Sequence, residues 1–274
     1  MPAYINTNVA SINTVRILDS SQKELTTSME RLSSGKRINH ARDDAAGMAI
    51  SSKMTSQING MNQAVRNTND GISMVQTADG AMEGIADKLQ RMRELAVQSS
   101  NGIYSSSDRA ALDIEFQALD DEINRVASSA EFNGTNLIDA DAQIDIQVSY
   151  AADSTNGKIT VSLSGVDSTD LGINANVITS QAASSTAITA VDAALSTVNS
   201  ARATLGATQN RLETTVKDLK NNVENLSASR SRIEDADFAS ETAQLAKSQI
   251  LQQAGMAMLA QANQLPQQVL SLLR

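Results

Sequence analysis

A step of alternately three and four residues runs unbroken from Val191 to Ile233. It lands on Ala194, Val198, Ala201, Leu205, Thr208, Leu212, Thr215, Leu219, Asn222, Leu226 and Ser229. This is a heptad seam, the pattern of a helix that buries one stripe against partner helices. A single helix of this span is roughly 60–70 Å long at about 1.5 Å per residue, several times the usual globular length. Nothing interrupts it, since the only prolines are Pro2 and Pro266 and an interior proline costs a helix about 3 kcal/mol. The chain is therefore predicted to be a rod rather than a globule.

A second seam steps from Ile58 through Met61, Val65, Thr68, Ile72, Val75, Asp79, Met82, Ala86, Leu89 and Arg93 to Ala96, with Ile85 and Met92 widening it. Asp79 and Arg93 stand at seam positions, either fixing register or reaching its wet edge. Gly71, Gly80 and Gly84 lie inside the helical pattern at a cost in propensity. They reflect either ordinary tolerance or close backbone approach by a neighbouring subunit. Arg91 and Leu95 share a ridge roughly 160–200° from Leu89. Leu95 is thus either a lone exposed apolar residue, which is common, or part of a second contact surface.

Shorter elements flank these seams. Ile5 to Leu32 reads as an amphipathic helix with Val9, Ile12, Val15, Leu18, Leu25 and Met29 on one side, stopped by Ser33-Ser34-Gly35. A charged connector follows, and Asp43 or Asp44 is placed to N-cap the long helix, which should end near Ser99-Ser100-Asn101-Gly102. A third helix starts at Asp108, carries Leu112, Phe116, Leu119, Ile123 and Val126, and ends before Phe132. Residues 143–164 change to period two around Asn156-Gly157, the signature of a β-hairpin. Asp167 to Ser185 reads as a surface loop. Phe238 to Arg274 is apolar and glutamine-rich, with Met256, Met258, Leu259, Leu265, Val269, Leu270, Leu272 and Leu273. The fold class is mainly α: a long-helix rod with an antiparallel coiled-coil bundle, a small mid-chain hairpin region, and terminal helices. A chain that goes out and returns brings its ends side by side. Those ends differ in charge, with six basic against three acidic side chains in residues 1–42 and two against four in residues 234–274.

Composition narrows the function. A net charge of −9 and a pI near 4.7 argue against a general nucleic-acid binder, which needs a basic stripe. There is no cysteine, hence no disulfide framework and no thiolate chemistry. No apolar run approaches the roughly 18–20 residues of a membrane span, and the first residues lack the basic and apolar regions of a cleavable signal peptide. His40 is the single histidine, so neither a paired Glu-x-x-His di-metal site nor a zinc cluster is available. Asp43-Asp44 and Asp120-Asp121 read as solvated or capping groups rather than catalytic dyads, and no phosphate loop is present. No cofactor, metal or catalytic residue is expected. A monomeric coiled-coil binding protein or adhesin is one reading open to such a chain.

The chain resembles bacterial flagellins. The motif Met29-Glu30-Arg31-Leu32-Ser33-Ser34-Gly35-Lys36-Arg37-Ile38-Asn39, then Asp43-Asp44-Ala45-Ala46-Gly47, carries the likeness. So do Asn69-Asp70-Gly71-Ile72-Ser73, Leu89 to Gln98 and Phe132-Asn133-Gly134. At the other end, Leu226 to Asp235, Ala260-Gln261-Ala262-Asn263-Gln264 and Val269 to Arg274 match too, leaving only about residues 140–185 outside. The likeness is to a short form without the large surface domains.

The resemblance implies that residues 1–42 and 235–274 form the two halves of an inner core-tube domain in a hollow extracellular filament. Residues 43–185, including the hairpin, and the helix 186–234 would form an outer rod domain. The partners it implies are copies of the chain itself, an export chaperone and the type III export apparatus, and filament-cap and hook-junction proteins. Gln90, Arg91, Leu95 and Glu115 match family residues that face the neighbouring subunit and are contacted by Toll-like receptor 5. Val269, Leu270, Leu272 and Leu273 match the segment held by the chaperone and used in assembly. A hook–filament junction protein is the alternative within this class.

Overall fold

The computed structural model describes residues 7–151 and 157–272, with side chains described as far as Gln264. Five helices and two small antiparallel sheets make up the described residues. The helices are α1 (Val9–Ser34), α2 (Ala45–Ser99), α3 (Ser106–Ser129), α4 (Gln181–Glu234) and α5 (Phe238–Leu272). Strands β1 (Glu131–Phe132) and β2 (Thr135–Asn136) pair across a two-residue turn, and β3 (Ala142–Gln147) pairs with β4 (Lys158–Leu163). The chain divides into two compact units: residues 1–56 with 225–274, and residues 57–224.

In the larger unit, α2 buries Met61, Ala64, Thr68, Val75, Ala78, Met82, Ile85, Leu89, Met92 and Ala96. The seam is real, but most of its alternate members sit one residue earlier than the step predicts, Ala86 being buried as expected. Ala64 and Ala78 point inward where Val65 and Asp79 were expected, and Met92, expected to widen the seam, takes the inward place of Arg93. The polar pair is thereby moved to the edge, as the wet-edge reading required. Asp79 Oδ1 accepts from Arg202 Nε at 2.8 Å, and Asp192 Oδ1 accepts from Arg93 Nε at 2.6 Å. These two ion pairs flank the apolar seam between antiparallel α2 and α4.

On α4 the step holds from Ala187 through Val191, Ala194, Val198, Ala201, Leu205 and Thr208 to Leu212, after which Val216 rather than Thr215 turns inward before Leu219. Two consecutive four-residue steps are a stutter, which relaxes the supercoil locally. Helix α3 begins with a capping box in which Ser105 and Asp108 serve each other's backbone N–H. It contributes Phe116, Ile123 and Ala127 to the core.

The predicted hairpin is present and in register, Ala142 opposite Leu163 and Gln147 opposite Lys158. Its inner face, with Ile146, Ile159, Val161 and Leu163, joins the core. Asp145, on the outer face, accepts from Thr160 Oγ1 at 2.7 Å. That bond and Lys158 hold its carboxyl below the usual range. Of the predicted turn, Asn156 lies outside the described residues. The β1–β2 pair was not foreseen; Asn133 and Gly134 carry it with φ of 51° and 77°, the positive values such a tight turn needs.

The expected surface loop 167–185 is not one. Helix α4 already begins at Gln181, and Ser168, Leu171, Ile173 and Ile178 are buried. Asp113 Oδ1 accepts from the Ile178 N–H at 2.7 Å, and Gln117 Nε2 donates to the Asn176 carbonyl at 2.9 Å. Backbone groups hidden in this way need partners, and α3 supplies them. The polar sequence concealed the packing because those polar side chains and backbone groups are what tie the segment down.

In the smaller unit, α1 lies along α5. Asn8 Nδ2 donates to the Ala262 carbonyl at 2.7 Å, Ser11 Oγ to Asn263 Oδ1 at 2.9 Å, and Ser21 Oγ to the Ser248 carbonyl at 3.2 Å. The described parts of the two terminal segments do run side by side. Asp44 is the α2 cap, accepting from the Gly47 N–H at 2.8 Å. Asp43 instead accepts from the N–H groups of Asn39 and His40 and shapes the connector, contacts that hold its carboxyl below the usual range.

Candidate assembly surfaces

The α1–α5 pair is built inside out. Its buried positions are small or polar: Ser21, Ser28, Ser248 and Ala262. Gly255 lets Leu18 come close, since a Cβ there would stand 3.2 Å from Leu18 Cδ1. Leu18, Leu25, Leu32, Leu245 and Leu259 are only half-buried, and many other large apolar side chains face outward. Val9 is 65%, Ile12 61% and Ile250 65% exposed, with Val15, Ile17, Leu251 and Phe238 also outside. A fully buried residue of this kind contributes about 1.5–3 kcal/mol. Two adjoining helices with this many outside present apolar surface of the sort that marks an interaction site. Sequence periodicity finds the apolar stripes but not their division: Leu18, Leu25 and Leu32 are half-buried, while Val9, Ile12, Val15 and Met29 of the same stripe stay outside.

The junction between the connector and the α4–α5 turn is stitched within the same unit. The Arg37 N–H donates to the Glu234 carbonyl at 2.6 Å and the Ala236 N–H to the Gly35 carbonyl at 3.0 Å. Lys36 Nζ stands 2.5 Å from Glu234 Oε1, and Ser51 Oγ donates to Glu234 Oε2. The Lys36 ammonium, then the Ser51 hydroxyl, hold the Glu234 carboxyl below its usual range. His40 Nε2 lies 2.7 Å from Glu30 Oε1, which gives the single histidine a structural partner.

In the larger unit, Arg91 bridges two carboxylates: Nη2 is 2.8 Å from Glu115 Oε1 on α3, and Nη1 is 3.0 Å from Glu94 Oε2. Gln90, Arg91 and Glu115 are exposed. Leu95 is not; it is fully buried, which corrects the exposed-residue reading. Its ridge does meet a second surface, but that surface belongs to the same chain, because α3 covers the side of α2 opposite α4. Val269, Leu270, Leu272 and Leu273 lie outside the described side chains.

One acidic pair departs from expectation. Asp120 is buried rather than solvated, and its Oδ1 has no hydrogen-bond partner. Desolvation first, and the neighbouring Asp121, push its carboxyl above the usual range, against a hydrogen bond from Ser168. Among the described residues no group of three His, Cys, Asp or Glu is placed to hold a metal ion. No described helix is long and apolar enough to cross a membrane.

Comparison with known proteins decides the family. The model of the bacterial flagellin N-terminal helical region matches residues 5–143, and that of the C-terminal helical region matches residues 188–273. The chain belongs to the bacterial flagellin family. A flagellin of Halalkalibacterium halodurans is 47% identical, over 98% of this chain and 99% of that one. A flagellar filament core protein of Brachyspira hyodysenteriae is 42% identical over 98% and 99%. Flagellin A of Vibrio cholerae is 38% identical over all of both chains, in an alignment of 379 positions. This flagellin is therefore a short form: that longer relative carries a stretch absent here. A solved structure described as a flagellar hook-associated protein of Vibrio parahaemolyticus covers 70% of this chain and 100% of its own, with a TM-score of 0.58 and 12% identity. It shares the fold. The flagellin motifs thus fall on α1, the connector, α2, the β1–β2 turn and the α4–α5 region.

Proposed function

We infer that the protein is a structural subunit of the bacterial flagellar filament, acting in motility by polymerising with copies of itself and catalysing nothing. The observation that carries this is the inside-out α1–α5 pair. Its outward apolar side chains have no cover within the unit, and the relatives are flagellins and filament core proteins. Residues 1–42 and 235–274 would form the inner layer of the polymer, residues 43–234 the outer one. Isolated helices are marginal in water, so the inner layer gains its order from neighbouring copies.

Three finer roles follow from the family resemblance. The chain leaves the cell through the flagellar export apparatus as an unfolded thread, which the absence of cysteine suits. Val269, Leu270, Leu272 and Leu273 serve the export chaperone and then assembly, where the subunit also meets filament-cap and hook-junction proteins. Gln90, Arg91 and Glu115 face a neighbouring subunit and, in the free monomer, Toll-like receptor 5. Leu95, fully buried, supports that patch from beneath.

Salting out the purified chain and viewing it by negative-stain electron microscopy tests the reading. Full-length protein should give fibres of uniform diameter, and a variant lacking residues 264–274 none. Equal behaviour of the two would remove the assembly role of the C-terminal segment. Absence of fibres from the full chain would overturn the filament reading.

A further inference from the structure

Sulfur in this chain is carried by methionine alone, with ten Met and no Cys. The structure sorts the described ones sharply. Met61, Met74, Met82 and Met92 are buried in the core of the larger unit, and Met48 and Met54 are half-buried. Met29, Met256 and Met258 are 57%, 53% and 63% exposed on α1 and α5. Each belongs to an outward side of its helix. Met29 stands two heptads after exposed Val15, and Met258 one heptad after exposed Leu251, on the same face in each case. Met256 is turned roughly 200° from Met258, so two sides of α5 carry a thioether. An unbranched, polarisable side chain fills irregular gaps between helices well. It is also the side chain here most open to two-electron oxidation.

We propose that Met29, Met256 and Met258 are three separate oxidative modification sites that gate self-assembly, rejecting subunits that have met a peroxide before they are built in. The proposal rests on the reading that the α1–α5 faces are covered by other copies in the polymer. In the step itself a sulfur lone pair attacks one oxygen of hydrogen peroxide. The O–O bond breaks, an S–O bond forms, the thioether is oxidised by two electrons to the sulfoxide, and the peroxide is reduced to water. The product places a polar S–O group where the neighbouring copy presents apolar surface. Burying a polar group without a partner is unfavourable, and a tenfold loss in the equilibrium corresponds to about 1.4 kcal/mol. Once the polymer has formed, the same sulfurs are shielded.

The experiment treats dilute monomer and preformed polymer with hydrogen peroxide, then maps oxidation by peptide mass and measures polymer yield. In monomer, Met29, Met256 and Met258 should oxidise well before Met61, Met74, Met82 and Met92, and in polymer they should be protected. Treated monomer should polymerise at about one tenth of the untreated yield or less, with recovery after reduction by methionine sulfoxide reductases. A chain with Met29→Leu, Met256→Leu and Met258→Leu, which conserves volume, should polymerise and keep its yield after peroxide. Equal oxidation of core and exposed methionines, or an undiminished yield from monomer oxidised at these three sites, overturns the proposal alone. Failure of untreated wild type to polymerise, or unprotected sulfurs in the polymer, overturns the assembly reading and the proposal with it.

Discussion

The side chain of Ile146 occupies the space that a Cβ on Gly71 would fill. The glycine inside a long helix is thus explained by the chain's own hairpin pressing on α2, and Gly60 is met in the same way by Tyr150. Gly71→Ala should destabilise the larger unit by about 1–3 kcal/mol through overpacking. Gly80→Ala, with nothing within 4 Å of its added Cβ, should stabilise the monomer by up to about 1 kcal/mol. Thermal unfolding of the two variants checks both signs.

The one-residue shift of the α2 seam makes neighbouring residues behave oppositely. Met92→Ala removes a fully buried side chain and should cost about 2–5 kcal/mol. Arg93→Ala removes only an exposed ion pair with Asp192, so its effect should be small and should fade with added salt. Denaturant titrations at low and high ionic strength compare them.

Leu95 and Arg91 separate in the same manner. Leu95→Ala should lower stability by about 2–5 kcal/mol, because the residue is fully buried. Arg91→Ala should leave the fold intact while removing the link to Glu115. In a receptor-binding assay on folded monomer, Arg91→Ala should weaken binding by direct loss of contact. A Leu95→Ala effect should track its loss of stability measured in parallel.

Two carboxylates predict opposite dependences on pH. The Glu234 carboxyl is held low by Lys36 and Ser51, so its contribution is present above the ordinary carboxylate value of about 4.3 and is lost as pH falls through the depressed one. Acidification should speed hydrogen exchange at the Arg37 and Ala236 amides, and Glu234→Gln should already exchange fast at neutral pH. Asp120 is raised by desolvation and Asp121. The burden of its charge is absent below the ordinary value of about 3.9 and complete above its raised one. Asp120→Asn should therefore raise the melting temperature at pH 7, with a gain that shrinks to nothing towards pH 4.

The sequence carried most of the fold because long seams and a hairpin declare themselves through period. Its errors have local physical causes. The α2 seam slipped by one at alternate positions because Val65 and Ile72 are more hydrophobic than the neighbours that are buried, Ala64 and Gly71. Small residues were chosen where helices and hairpin come close. Leu95 was misjudged because a single seam describes one partner, whereas α2 has α4 on one side and α3 on the other. The segment 167–180 looks exposed because its apolar residues are sparse, yet Ile173 and Ile178 are buried and the segment is tied to α3 through the Asn176 carbonyl and the Ile178 N–H. Of the assembly surface, the apolar stripes of α1 and α5 were legible. Their outward direction was not, since Ser21, Ser28 and Ser248 gave no apolar signal for the contact they make.

Hydrogen exchange over Val9–Ser34 and Phe238–Gln264, followed in dilute monomer and again after polymerisation, tests the central claim most directly. The account predicts rapid exchange in the monomer and slowing by orders of magnitude in the polymer, once copies cover the outward faces. Slow exchange in the dilute monomer, or no change on polymerisation, would contradict it.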